Sequence, residues 1–310
     1  MNRNLGNASG YVVVAGGVNV DIGGTSLAPL VDNDSNPGMI RMSMGGVGRN
    51  IAHNMCLLGL NVRMLTAIGD DYNARLIRSS CDEIGIDLSD ALFAMGAASS
   101  TYMFINQPDG DMALAVNDMR ICERLTPAYF AARQELIDNA QLLMIDANLP
   151  APSIRYLAEN AKVPVFADMV STIKGVNFLP VLDRIHTIKA NKLEAEVLSG
   201  MSITDDKTLL EAAEAIRAKG VQNVFISLGG DGMYVASDKG TFKIPALKTE
   251  VKSTTGAGDS AMAALAWCYV NGIDPETAAG YANAAASITI GSFDTISPDM
   301  SVENMLSRLA

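Results

Sequence analysis

An α/β protein with a mostly parallel central sheet is the fold class this sequence predicts, and three observations predict it. From about residue 126 onward, short β-prone runs alternate with helical patterns, the arrangement that gives parallel strands covered by helices. The chain has 310 residues, 49% of them hydrophobic and 18% charged, which is ample for a core on both faces of a sheet. Two stretches, 22–45 and 97–116, break the alternation and read together as a small β lid. No linker divides the chain, so 1–310 is expected to form one domain carrying that lid.

The elements follow in order. YVVVAGGVNVD (11–21) reads as a buried strand ending in a glycine turn. Residues 22–45 read as polar and irregular, with a turn at DNDSNPG (32–38). GGVGRNIAHNMCLLGL (45–60) is a glycine turn feeding an amphipathic helix, and NVRMLTAIG (61–69) is a strand. DYNARLIRSSCDEIG (71–85) is a helix stopped by glycine, a common helix ending. Within 97–116, two β-prone runs flank Asp109-Gly110, the dipeptide of a tight hairpin. Strands are expected at 142–146, 163–168, 185–190 and 223–229, with a helix at 205–220. SLGGDGMYV (227–235) reads as strand, glycine turn and second strand, and KSTTGAGDSA (252–261) opens a long apolar helix.

Composition excludes several classes. A net charge of -11 repels nucleic acid and anionic membrane, so neither is an expected partner. Cys56, Cys81, Cys122 and Cys268 form no CxxC pair, which argues against a zinc site or disulfide framework. No basic-then-apolar leader and no run of about 18 apolar residues is present, so a soluble cytoplasmic protein is expected. There is no GxxxxGK[ST] and no GxGxxG after the first strand, which disfavours a P-loop protein and a dinucleotide-dependent oxidoreductase. His53 and His186 stand alone on patterned segments and read as packing residues.

In such sheets ligands bind outside the carboxyl ends of the strands, where Asn19, Asp21, Asp168, Asn191, Glu194, Gly229 and Gly230 fall. Asp259 follows Gly256, Ala257 and Gly258 at a helix start. Free backbone N–H groups there attract anions, and a carboxylate at the same point can take a proton from an attacking hydroxyl. The plainer alternative is helix capping by Thr254 or Thr255, with Asp259 favouring the dipole. Asn191 and Glu194, three apart, share a helix face and suit a Mg²⁺ ion held through water; a capping box explains the same spacing. Asn19, Asp21 and the Gly45–Asn50 turn offer amide, carboxylate and glycine backbone suited to vicinal sugar hydroxyls, against ordinary turn chemistry.

Taken in this order, GGVNVD, GGVGRN, NKLE, SLGGDG and STTGAGDSA resemble the ribokinase-like (PfkB) family of sugar and nucleoside kinases. The resemblance covers nearly the whole chain. Within the family it runs to the pseudouridine kinases, carried by DSNPG, STYMFINQPDGDMALAVNDM, DANLP, VFADMVSTIKG and KANKLEAEVLSG. It implies a three-layer sandwich and transfer of phosphate from ATP, with Mg²⁺, to the 5′-hydroxyl of pseudouridine. It implies Asp259 as base, Gly256, Ala257 and Gly258 as anion hole, and Asn191 and Glu194 placing Mg²⁺ and phosphate. Ser227, Gly229, Gly230 and Gly232 would line the ATP site, with Asn283 near adenine. Asn19, Asp21, Gly46 and Asn50 would hold the ribose, and Tyr102, Met103 and Asn117 would face the base. Many relatives carry Asp where this chain has Ser253, so activation by K⁺ is in doubt here. A homodimer through the lid is expected, since exposed strand edges invite pairing. The competing readings are another nucleoside or ribose kinase and a catalytically silent ligand-binding relative, the latter disfavoured by the intact Asp259.

Overall fold

The computed structural model describes residues 10–309, so residues 1–9 and 310 of the expected 1–310 domain lie outside the described residues. Nine strands form the central sheet: β1 (Val12–Ala15), β4 (Val62–Leu65), β6 (Ile86–Asp87), β10 (Leu143–Asp146), β11 (Val165–Asp168), β12 (Thr187–Asn191), β13 (Asn223–Ser227), β14 (Met233–Ser237) and β15 (Gly240–Ile244). Their order is β15-β14-β13-β12-β11-β10-β1-β4-β6. All neighbours run parallel except β13–β14 and β14–β15, which are antiparallel, as the glycine turn of SLGGDG predicts.

Helices cover both faces: α1 (Val47–Leu57), α2 (Tyr72–Ile84), α3 (Pro127–Ala131), α4 (Gln134–Asp138), α5 (Ala151–Asn160), α6 (Thr172–Gly175), α7 (Lys192–Ser199), α8 (Asp206–Ala218), α9 (Ala257–Val270), α10 (Pro275–Ile290) and α11 (Val302–Ser307). The layers follow from the strand period of two. In VVVA, Val13 and Ala15 pack into a core that holds Phe130, Phe178 and Ile216. Val12 and Val14 point the other way, to Ile51, Met55, Met262 and Trp267. Helix α9 is buried along most of its length, from Ser260 to Cys268, which accounts for its nearly unbroken apolar sequence. Among the described residues, no helix is long and apolar enough to cross a membrane.

A second sheet of four strands, β2 (Asn19–Ser26), β3 (Gly38–Gly45), β8 (Thr101–Asn106) and β9 (Met112–Asp118), has the order β3-β2-β8-β9. This corrects the expectation that 22–45 is irregular: β2 and β3 pair antiparallel along their whole length. Gly23 and Gly24 hide the strand from propensity rules, yet a side chain at 23 would collide with the Phe104 ring of β8. The β8–β9 hairpin turns at Gly110, φ +94, near where Asp109-Gly110 placed it. β5 (Ala67–Ile68) and β7 (Leu92–Phe93) form a separate pair, so the single strand expected over 61–69 breaks at Thr66.

Candidate active site

Register brings the chemistry together. Asp146 pairs with Asp168, and Asp168 with Lys189, at the carboxyl ends of β10, β11 and β12, so the three side chains form one row on one face. Lys189 Nζ lies 2.9 Å from Asp168 Oδ2, with the two side chains 8% and 6% exposed. Burial pulls the Lys189 ammonium down, but Asp168, Asp259 and Glu194 outweigh it and hold the group above its ordinary value. Lys189 also reaches the glycine tip, because a Cβ on Gly258 would come within 2.7 Å of its Nζ.

Asp259 stands in the first turn of α9. Its N-cap is Gly256, left-handed at φ +82, and no side chain caps the helix. Capping by Thr254 or Thr255 is thereby corrected, and the first N–H groups of α9 have no side-chain acceptor. Asn50 Nδ2, from α1, donates to Asp259 Oδ2 at 2.9 Å. The contact joins two motifs 209 residues apart. Burial, then the negative charge of Asp168, pushes the Asp259 carboxyl up to about 7, against the opposing pull of Lys189 and Asn50.

Asp146 was missed from sequence, although it sits in DANLP. It is fully buried, and its Oδ2 accepts from Gly17 N–H at 2.8 Å and Gly48 N–H at 2.8 Å. One carboxylate thus ties the turn after β1 to the start of α1, fixing Asn19, Asp21 and Asn50 relative to one another. No side chain fits at Gly16 or Gly48 without approaching Asp146 Oδ2. Gly46, φ +96, begins α1, and a Cβ there would lie 2.7 Å from Val18 Cα.

Asn19 and Asp21 are not turn residues. They lie two apart on β2, and Asn19 Nδ2 donates to Asp21 Oδ1. Burial raises the Asp21 carboxyl to about 6, opposed by Asn19 and by the charge of Arg49. Across the small sheet, Asp21 is level with Tyr102, and Tyr102 with Asn117, so these three share a face. Met103 is corrected by the same register. It is level with Ile22 and Val116 on the opposite face and is 49% exposed.

Asn191 and Glu194 form a reciprocal capping box on α7: Glu194 N–H donates to Asn191 Oδ1 at 3.0 Å and Asn191 N–H to Glu194 Oε2 at 2.8 Å. Glu194 Oε1 has no partner among the described residues, and burial raises its carboxyl above the ordinary range. Asn191, Ser227 and Gly229 line one cleft of about 430 Å³ with Leu193, Ile203 and Leu228. A Cβ on Gly229 or Gly230 would meet nothing, so both leave open space. Gly232 and Asn283 stand apart from these. Asn283 Nδ2 donates to Ile244 O and Pro245 O, both at 3.1 Å, and Gly232 packs on the same backbone at φ +95.

The sequence reading also missed Lys189, Asn148 and Lys174. Lys189 hides among apolar neighbours of β12; its one signal is a charge inside a buried strand, two residues before Asn191. Among the described residues, no group of three or more His, Cys, Asp or Glu side chains gathers as a metal site.

The description "pfkB family carbohydrate kinase" matches residues 9–301. The chain is 36% identical to the pseudouridine kinase of Escherichia coli K12 over 299 residues, covering 96% of each. It is 34% identical to the uncharacterized sugar kinase YeiI of the same organism, covering 96% of this chain and 83% of that one. A carbohydrate kinase from Agrobacterium tumefaciens superposes with a TM-score of 0.85 at 26% identity, over 97% of both chains. The chain therefore belongs to the pfkB family of carbohydrate kinases and is a sugar or nucleoside phosphotransferase that acts on a hydroxyl group.

Proposed function

We propose that this kinase phosphorylates the 5′-hydroxyl of pseudouridine with ATP, Asp259 serving as base. The observation that carries the chemistry is the Asn50–Asp259 contact at the uncapped start of α9. It sets a carboxylate held near neutrality where free N–H groups and Lys189 favour a phosphoryl group's negative charge. The hydroxyl to be deprotonated and the phosphoryl to be received then meet at one point. The likeness to a pseudouridine kinase over nearly the full chain supports the nucleoside.

The cleft at Asn191, Ser227 and Gly229 suits ATP, with Gly230 leaving room, while Gly232 and Asn283 act from outside it, on the Ile244–Pro245 backbone next to Lys243 of its lining. Ribose falls to Asn19, Asp21, Gly46 and Asn50. Tyr102 and Asn117 turn the inner face of the small sheet toward the base, making that sheet the lid of a single kinase domain. Glu194, with one carboxylate oxygen uncommitted, fits a Mg²⁺ ion held through water. When bound, Mg²⁺ neutralises phosphate charge. The site of action is the cytoplasm.

The test is ATP turnover against pseudouridine, uridine, cytidine, adenosine, inosine, ribose and fructose. Pseudouridine should lead uridine by at least about tenfold in kcat/KM, the scale of one unpaired buried polar group. Equal efficiency, or a preference for adenosine or ribose, overturns the substrate and leaves the kinase assignment intact.

A further inference from the structure

Beside the charged row, a cleft of about 760 Å³ opens between β9, the turn after β10 and α6. Two of its charged groups neutralise each other: Arg120 clasps Asp118 through Nε at 2.9 Å and Nη2 at 2.6 Å. Lys174 is different. Its Nζ donates to Asn148 Oδ1 at 2.6 Å and touches Met119 Sδ at 3.6 Å. Among the described residues no carboxylate comes within ion-pair distance of it, 4.0 Å. Glu123 lines the same cleft but is exposed. An ammonium carries three N–H donors, so Lys174 keeps donor capacity for a ligand.

Its aim is fixed from below. Asn148 Nδ2 donates to Asp146 Oδ2 at 3.1 Å, and Asn148 N–H to Asp146 Oδ1 at 2.8 Å. That leaves the carboxamide oxygen of Asn148 to hold the ammonium. The same Asp146 carboxylate anchors the turn that leads to Asn19 and Asp21. Lys174 is thus positioned relative to the residues proposed for ribose. Asn117, on the Asp21–Tyr102 row, enters no side-chain hydrogen bond among the described residues and offers both a donor and an acceptor.

We infer that Lys174 reads the base, donating to a ring carbonyl oxygen of a pyrimidinedione nucleoside while Asn117 pairs with the adjacent ring amide. This rests on the nucleoside-kinase reading above. A half-buried ammonium rejects an exocyclic amino group at the same place, since two donors then face each other. A ring carbonyl is therefore selected over a ring amine, independently of the choice between pseudouridine and uridine.

The experiment measures kcat and KM for pseudouridine, uridine, cytidine and ribose in the wild type, Lys174→Met and Lys174→Arg, with melting temperatures as the check on folding. Lys174→Met should raise KM for pseudouridine and uridine by about 10- to 100-fold, the scale of a charge-assisted hydrogen bond. It should leave kcat and the use of ribose within about threefold. The preference for uridine over cytidine should collapse, and Lys174→Arg should restore part of it. If Lys174→Met melts below the assay temperature, Lys174→Gln carries the same comparison. Equal losses on ribose and nucleosides, or an unchanged uridine-to-cytidine ratio, overturn the inference while nucleoside kinase activity stands. A wild type that takes ribose and no nucleoside overturns both.

Discussion

Asp259 holds a proton at a pH where most carboxylates do not. Its folded value near 7 exceeds the ordinary 3.8. A protonated carboxyl cannot act as base, so kcat should fall as pH drops through about 7 and level off above it. Between pH 3.8 and 7 the folded state binds the extra proton, so this group makes the fold less stable as pH rises through that window. Asp259→Asn should therefore lose about 10²- to 10⁴-fold in kcat while melting higher than wild type at pH 8 and level with it near pH 4. Near wild-type turnover in the folded variant would remove Asp259 as base. Asp21→Ala should act on the other substrate, weakening nucleoside binding by about 1.5–3 kcal/mol with ATP affinity unchanged in calorimetry; an equal ATP defect contradicts it. Ser253, whose Oγ among the described residues accepts only from Thr255 N–H at 3.3 Å, should leave turnover nearly the same in sodium and potassium, and Ser253→Asp should raise the potassium response. These residues were legible as candidates because they stand in GGVNVD and STTGAGDSA, the stretches that carry the family resemblance, since Asn and Asp alone are ordinary turn residues. Lys189 and Asp146 were not, because their meaning depends on partners brought in by the sheet.

Among elements, helix ends were more legible than lid strands, and the reason is the range of the interactions. Asp71 accepts from Ala74 N–H, and Gly85 closes the same helix left-handed at φ +80. Asp205 and Thr208 cap α8 reciprocally. Such bonds span three residues and show in the sequence. β2 carries Gly23, Gly24, Asp21 and Ser26, and it is a strand only because β3 and β8 supply its hydrogen bonds on either side. The capping box on α7 shows the limit of local reading: the spacing of Asn191 and Glu194 fitted capping and metal binding alike, and the fold realises the capping. The start of α9 breaks the capping rule, which leaves its first N–H groups without a side-chain acceptor. Gly256→Ala tests this at the element scale. The left-handed φ of +82 and the approach of Thr295 O to any Cβ should cost about 1–3 kcal/mol of stability, read as a lower denaturation midpoint. kcat should drop as the N–H groups of α9 turn away. A variant as stable and active as wild type would mean that the loop relaxes without consequence.

At the scale of the molecule, alternation predicts the α/β class and the SLGGDG turn predicts the antiparallel pair β13–β14, but neither predicts the strand order. β1 lies between β10 and β4, a choice made by long-range packing that no local pattern records. The small sheet poses the remaining question, because its two faces differ in kind. Asp21, Tyr102 and Asn117 occupy one. The other presents Ile40 at 79%, Met42 at 48%, Met103 at 49%, Leu114 at 60% and Val116 at 63% exposure, on one face by register. A contiguous apolar face of this kind is costly in water unless covered, and the outer edges of β3 and β9 have no further strand beside them among the described residues. The covering surface expected is the same sheet of a second copy, since a twofold contact needs only one self-complementary patch. Light scattering at micromolar concentration should therefore give the mass of two chains. Ile40→Glu combined with Leu114→Glu places charges in one row of that face, and should give a folded single chain. Because the inner row would then lose its support, KM for the nucleoside should rise more than KM for ATP. A wild type that scatters as one chain across that range, or a double variant that stays paired, would mean that the apolar face has another use.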